Sequence, residues 1–99
     1  MNMEVAFDDA SLDALETDTR ARPKFPTGVI KSYRRRMWQI RAAHDERDFY
    51  ANRGFHFEKF QEVEGQYSLR LNDQYRLIIR FEDHSEGKTV VIVAIRDYH

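Results

Sequence analysis

An α+β domain, with two N-terminal helices packed on one face of a largely antiparallel sheet of four to five strands, is what this 99-residue chain predicts. Three observations carry that expectation. Apolar residues recur at helical spacing between Pro26 and His44; two runs of strict alternation flank Asn72-Asp73; and Val90 to Ile95 is a continuous, mostly β-branched apolar run, the composition of a strand buried on both faces. A short strand, two helices and then consecutive strands favour a largely antiparallel sheet with its helices on one side.

Glu4-Val5-Ala6-Phe7 reads as a short strand. Asp8 or Asp9 then offers an N-cap for a short helix through Ala10, Leu12 and Leu15, and residues 17 to 25 connect it to the next element. Pro26, Thr27 and Gly28 mark the entry to the clearest helix, which is expected to run to about His44. Val29, Tyr33, Met37, Ile40 and His44, joined by Ile30, fall on one arc of it, so His44 is expected at the edge of the core. Lys31, Arg34, Arg35 and Arg41 lie outside that arc, and Trp38 lies with them. His56 to Phe60 reads as a further strand. Tyr67, Leu69 and Leu71, then Tyr75, Leu77, Ile79 and Phe81, form the buried faces of a hairpin about Asn72-Asp73. Asp83 to Gly87 turns the chain into the last strand.

Residues 1–99 are short enough for a single domain and long enough to fold without staples. Cysteine is absent, which excludes disulfides and thiolate metal sites. The first residues have neither a basic n-region nor a long apolar h-region, and no apolar run reaches the roughly 20 residues of a membrane span, so a cytoplasmic protein with no membrane contact is expected. Net charge is −1, but it is polarised: six acids and no base from Glu4 to Asp18, then eight bases and no acid from Arg20 to His44. Such a chain presents local basic surface while staying neutral overall. Trp38 among these bases either covers the neighbouring short helix or anchors a partner, an aromatic among arginines being the composition of a binding hot spot.

No histidine pair has zinc-helix spacing, no glycine-rich phosphate loop occurs, and there is no GxSxG elbow, so metal, nucleotide and acyl-transfer chemistry rank low. The hairpin register puts Arg70, Arg76 and Arg80 on the face away from the helices, and the last strand brings Asp97, Tyr98 and His99 to its rim. Those residue types suit cleavage of RNA by its own 2′-hydroxyl, which needs a base near the 2′-oxygen, cations on the phosphorane and an acid at the leaving 5′-oxygen, but no cofactor. Histidine is the natural proton-transfer residue, its ordinary pKa of about 6.5 lying near working pH, and carboxylates near His99 would favour its protonated form. Arginines fit phosphate bidentately. Tyr98 can stack on a base or donate a proton.

The stretch Gly65-Gln66-Tyr67-Ser68-Leu69-Arg70-Leu71-Asn72-Asp73-Gln74-Tyr75-Arg76-Leu77, the preceding Phe57-Glu58-Lys59 and the terminal Asp97-Tyr98-His99 resemble the host-inhibition-of-growth (HigB) branch of the RelE/ParE toxin superfamily. The segment Asp45-Glu46-Arg47-Asp48-Phe49-Tyr50 after the long helix is similar to plasmid maintenance killer proteins of that branch. The resemblance implies a RelE-like fold and the toxin of a bacterial type II toxin–antitoxin module, cutting mRNA in the ribosomal A site. Its partners would be the 70S ribosome with mRNA and a helix-turn-helix antitoxin, through which alone it would reach operator DNA. Carried over by position, Arg76, Asp97, Tyr98 and His99 are the expected catalytic residues. Arg70 and Arg80 on the open face, with Lys59 and His56 near the motif, are the expected RNA contacts, and Trp38, Arg34, Arg35 and Arg41 on the basic helix, by their composition, the expected antitoxin contacts. Where some members have an active-site histidine this chain has Glu58, with Lys59 and His56 beside it, and the connector that is basic in many relatives is Gln61-Glu62-Val63-Glu64. The superfamily also includes toxins that bind gyrase without cutting RNA. The terminal Asp-Tyr-His favours the nuclease.

Overall fold

A computed structural model describes residues 3–18 and 25–98. In chain order the elements are β1 (Glu4–Phe7), α1 (Ala10–Thr17), α2 (Thr27–Ala42), α3 (Glu46–Ala51), a 3-10 turn (Arg53–Phe55), β2 (Glu58–Lys59), β3 (Gln66–Arg70), β4 (Tyr75–His84) and β5 (Gly87–Asp97). The strands form one sheet in the order β1-β5-β4-β3-β2, with β1 parallel to β5 and every other pairing antiparallel. The expected architecture is present, with α3 added to the two expected helices.

Asp9 caps α1 by accepting from the Ser11 backbone N–H at 2.8 Å, and the helix buries Leu12 and Leu15. Helix α2 buries Val29, Tyr33, Met37 and Ile40, the arc that its sequence spacing marks. Each such side chain contributes roughly 1.5–3 kcal/mol by leaving water. The Tyr33 hydroxyl, buried between the two helices, donates to the Leu12 carbonyl at 2.6 Å. Burial, with Glu16 and Asp13 nearby, pushes its pKa far above the ordinary phenol value.

Helix α2 ends earlier than its apolar pattern suggests, and this displaces His44. Ala43 turns to an extended conformation and is itself buried, its carbonyl accepting from the Met3 backbone N–H at 3.1 Å. His44 is therefore exposed rather than at the core edge. Its backbone N–H donates to Asp48, while Asp45 caps α3 through the Arg47 N–H, so two acids convert the end of one helix into the start of the next. Phe49 on α3 is fully buried, its ring centroid 5.5 Å from Phe55 and 5.4 Å from Phe57, and Phe57 in turn stacks on Tyr67 of β3. Aromatic packing thus joins α3 to the sheet.

The expected strand from His56 to Phe60 shrinks to Glu58–Lys59. His56 sits at φ 45°, in the left-handed region that closes the 3-10 turn, and cannot continue a strand there. In the β3–β4 hairpin, Asn72 accepts from the backbone N–H groups of Gln74 and Tyr75 at 2.9 and 2.7 Å, as an Asx turn should. The second hairpin is tighter than expected, with His84 paired to Gly87 and only Ser85-Glu86 between them.

A β-bulge in β5 decides what the end of the chain presents. Ile79 pairs with Ile92 but Ile78 pairs with Ala94, so Val93 is an extra residue. Before the bulge Val90 and Ile92 face the helices. After it the parity inverts: Ile95 and Asp97 take the helix side, opposite Leu77 and Tyr75, while Arg96 stands opposite Arg76 on the outer face.

Candidate functional site

The outer face carries a row of three arginines, one per strand. Arg70 of β3 pairs with Arg76 of β4, and Arg76 pairs with Arg96 of β5. Arg80 lies on the same face, opposite Gln66 and Val91 and one pair of residues beyond Ile78. The shared face that the hairpin alternation predicts for Arg70, Arg76 and Arg80 is therefore present. It is not bare, however: Ser68, Ile78, Val91 and Phe60 are all buried although they lie outside the helix-side core. The segment after β2 returns across it, with Phe60 6.2 Å from the Tyr98 ring and 5.6 Å from the Arg96 guanidinium, and Glu62 pairs with Arg96 at 3.1 Å.

Arg76 is the centre of this arrangement. Its side chain is only 14% exposed, and one terminal nitrogen donates to the backbone carbonyls of His56 and Ser68 and lies 3.7 Å from a Glu58 carboxylate oxygen. The guanidinium carbon sits 5.9 Å from the centre of the Tyr98 ring. Among the described residues its Nε is the buried side-chain nitrogen or oxygen left without a hydrogen-bond partner. That is an anomaly for a buried donor. Tyr98 is held in place by its backbone N–H, which donates to the Gln74 carbonyl at 2.6 Å and prolongs the pairing of β5 past Asp97. The end of the chain is anchored at least through this residue. Burial pushes the Tyr98 phenol upward, the positive charge of Arg76 opposing it, so the ring carries a neutral hydroxyl at physiological pH. A cleft of about 450 Å³ runs beside the pair, lined by Glu58, Phe60, Glu62, Arg96 and Tyr98 among others.

The remaining expected site residues are divided. Asp97 stands opposite Tyr75 and accepts from the Gln74 side chain at 3.1 Å, so its register places it on the helix side of the strand, yet with Lys59 it also lines the cleft beside Tyr98 and Arg96. His99 lies outside the described residues. Lys59 pairs with Tyr67, on the side opposite to Glu58 and Ser68, and His56 reaches Arg76 through its carbonyl. Arg70 is tied to Asp73; Arg80 is held by Asp8 at 3.1 Å and Glu82 at 2.6 Å, which raise its pKa. Each of the four outer-face arginines thus already has a carboxylate. On α2, Arg34 donates to the Leu15 and Asp18 carbonyls at the end of α1, and Arg41 forms two hydrogen bonds with Glu16, so both fasten one helix to the other. Arg35 and Trp38 remain exposed.

Sequence reasoning overlooked Arg36, gave Arg96 no site role, and noted Glu62 only as part of the acidic connector. Arg36 donates to the carbonyls of Arg70 at 2.8 Å and Gly54 at 2.7 Å and lies over the Phe55 ring, so it pins α2 to the end of β3 and to the 3-10 turn. Its position among three consecutive arginines hid it; the helical period alone separates it from Arg34 and Arg35. Among the described residues no cluster of three or more His, Asp or Glu is arranged to hold a metal ion, and no helix is long and apolar enough to cross a membrane.

Fold and face together define a small α+β domain whose sheet is sheathed by helices on one side and lined by arginines and the end of its last strand on the other. The chain belongs to the HigB-like toxins, RelE-like toxins of type II toxin–antitoxin systems, whose family pattern matches residues 5–99. Among solved structures it is similar to a YoeB/ParE toxin from Agrobacterium tumefaciens, at 14% identity and a TM-score of 0.60, over 98% of this chain and 100% of that one. That likeness confirms the fold. No curated protein matches the sequence significantly. Membership of a type II toxin family implies a partner antitoxin.

Proposed function

We propose that this toxin is a ribosome-dependent mRNA endoribonuclease that inhibits translation by metal-independent transesterification. The observation that supports it best is the convergence of Arg76, Tyr98 and Glu58 at one end of the outer face: a phosphate-binding cation, a neutral phenol and a carboxylate within about one nucleotide of each other. In this reading the Arg76 guanidinium, exposed only at its edge, binds the scissile phosphate. Glu58 replaces the histidine of some relatives and accepts the proton of the 2′-hydroxyl as that oxygen attacks phosphorus. Tyr98, neutral and beside Arg76, donates to the leaving 5′-oxygen or stacks on the flanking base. His99, by its position in the family motif, gives the leaving 5′-oxygen its one proton where Tyr98 instead stacks on the base. Asp97 lines the same cleft and adds a carboxylate beside that end. Arg70 and Arg96 flank the phosphate and Arg80 extends the track, once their own carboxylates release them.

The cleft is open and offers few aromatic platforms, so in-line geometry must come from the ribosome. Such positioning contributes several kcal/mol. Expression of the chain without its antitoxin is expected to arrest growth and to yield mRNA fragments whose ends map within translated codons, while the purified toxin cuts free RNA poorly. DNA breaks with intact mRNA would instead identify a gyrase-binding toxin and overturn this reading.

A further inference from the structure

The outward side of α2 has a different character from the sheet face. At about 100° per residue, Lys31, Arg35, Trp38 and Ala42 fall within about 60° of arc, opposite the buried Val29, Tyr33 and Ile40. All four are exposed, Trp38 to 73%. Trp38 therefore does not cover α1. Neither Lys31 nor Arg35 has an ion-pair partner among the described residues. Beside the stripe a groove of about 240 Å³ opens between α2 and α3, with Trp38 and Ala42 on one wall and Phe49, Asn52 and Phe55 on the other. Asp48 at its end is occupied by the His44 backbone N–H.

A large exposed aromatic at the lip of a groove of mixed lining, in which Gln39, Asp48 and Asn52 stand beside Ala42, Phe49 and Phe55, and next to uncompensated positive charge, is the composition in which association energy concentrates. The cations fix the sign of the partner, since like charge juxtaposed here would be repelled and opposite charge steered in. We infer that this stripe and groove dock an acidic segment of the antitoxin, with one apolar side chain of that segment seated between Trp38 and Phe55. Arg34 and Arg41, which belong to the α1–α2 junction, take no direct part. The inference rests on membership of a type II toxin family and not on the nuclease reading.

Trp38 is the sole tryptophan of the chain, which supplies a reporter. The toxin is labelled with 5-fluorotryptophan and titrated with its unlabelled antitoxin, so that every fluorine signal comes from this position. The expected result is a shifted resonance that loses its solvent isotope effect in the complex, with antitoxin affinity falling at least tenfold in Arg35→Glu and in Ala42→Arg. Both positions are exposed, and circular dichroism checks that the variants fold. An unchanged resonance in the saturated complex, or affinities within twofold of the parent in both variants, would overturn the assignment. So would a shift that appears on concentrating the toxin alone, which would give the groove to a second copy of the chain. None of these readouts depends on RNA cleavage, so a failed nuclease assay leaves this test standing.

Discussion

The outer face of the sheet and the outward side of α2 are both rich in bases, yet only one of them holds its charge in reserve. On the sheet, Arg70, Arg76, Arg80 and Arg96 are each met by a carboxylate: Asp73, Glu58, Asp8 with Glu82, and Glu62. On α2, Lys31 and Arg35 stand uncompensated beside an exposed Trp38. Counting bases along the chain would rank the two surfaces alike. What separates them is where the acids fold. A polyanion approaching the sheet must displace resident carboxylates, which on the proposed nuclease reading would favour a substrate oriented by the ribosome. A protein partner reaching α2 meets no such competitor.

The largest expected effect lies at the centre of the compensated face. Arg76→Ala should lower mRNA cleavage by about 10²- to 10³-fold, about 3–4 kcal/mol of transition-state stabilisation, and Glu58→Gln should do the same if it is the base. The Arg76 change also strands the His56 and Ser68 carbonyls, so a stability loss of about 1–2 kcal/mol accompanies it. Antitoxin affinity should be untouched. A soluble Arg76→Ala chain that cleaves mRNA at the parental rate would move the phosphate site away from this face, and the contrast between the two surfaces would lose its functional meaning.

A second test asks whether α2 is one surface or two. Arg36 faces the sheet side of the helix, and three hydrogen bonds consume its guanidinium. Its pKa is lowered by burial and then by the neighbouring Arg35 and Arg70. Arg36→Ala should cost about 2–3 kcal/mol of stability in denaturant unfolding, by leaving the Arg70 and Gly54 carbonyls unsatisfied. Arg35→Ala, one residue away, should stay within about 0.5 kcal/mol. Equal losses would mean that Arg35 is structural too, and the docking stripe would shrink to Lys31, Trp38 and Ala42.

How far the sequence reaches is clear from particular residues. The Val29-Tyr33-Met37-Ile40 arc, the hairpin about Asn72-Asp73 and the shared face of Arg70 and Arg76 follow from local periodicity, and all are present because a spacing of 3.6 or 2 residues directly encodes a face. The end of the chain does not follow. Val90 to Ile95 is apolar throughout, so nothing in it marks Val93 as the extra residue, yet that bulge moves Arg96 and Tyr98 to the outer face and Asp97 to the other. Likewise, the pairing of Arg41 with Glu16 or Arg80 with Asp8 joins residues far apart in sequence, and no local pattern announces it. Site residues are legible as types; which of them are free is a property of the fold.

A third test concerns the inward side of α2, where Tyr33 ties it to α1. The folded phenol has a pKa raised above its unfolded value of about 10. By linkage, its contribution to stability is complete below pH 10 and is lost as pH rises further toward the folded value. Tyr33→Phe should cost about 1 kcal/mol at neutral pH, through the lost hydrogen bond to the Leu12 carbonyl, and should flatten the alkaline decline in stability. Unfolding curves with the same alkaline slope in parent and variant would assign that decline to other groups.

The smallest expected effect bears most directly on the comparison. Glu62 and Arg96 are both well exposed, so their 3.1 Å pair contributes under about 1 kcal/mol to stability, and Glu62→Gln should leave the unfolding midpoint nearly unchanged. Its effect on RNA should be opposite to that of any arginine substitution on this face. With the carboxylate gone, Arg96 is available to phosphate and one repulsive charge leaves the cleft. Binding of a single-stranded oligonucleotide carrying a 2′-deoxy sugar at the cleavage position should tighten by about 3- to 10-fold at low salt, with the slope of log affinity against log salt steepening by about one. The gain should fade as salt rises and screens the exposed charges. Affinity that stays the same, or falls, would show that Glu62 does not compete with phosphate. The paired arginines would then be scaffolding of the sheet, and the distinction between reserved and compensated charge would not govern what this face binds.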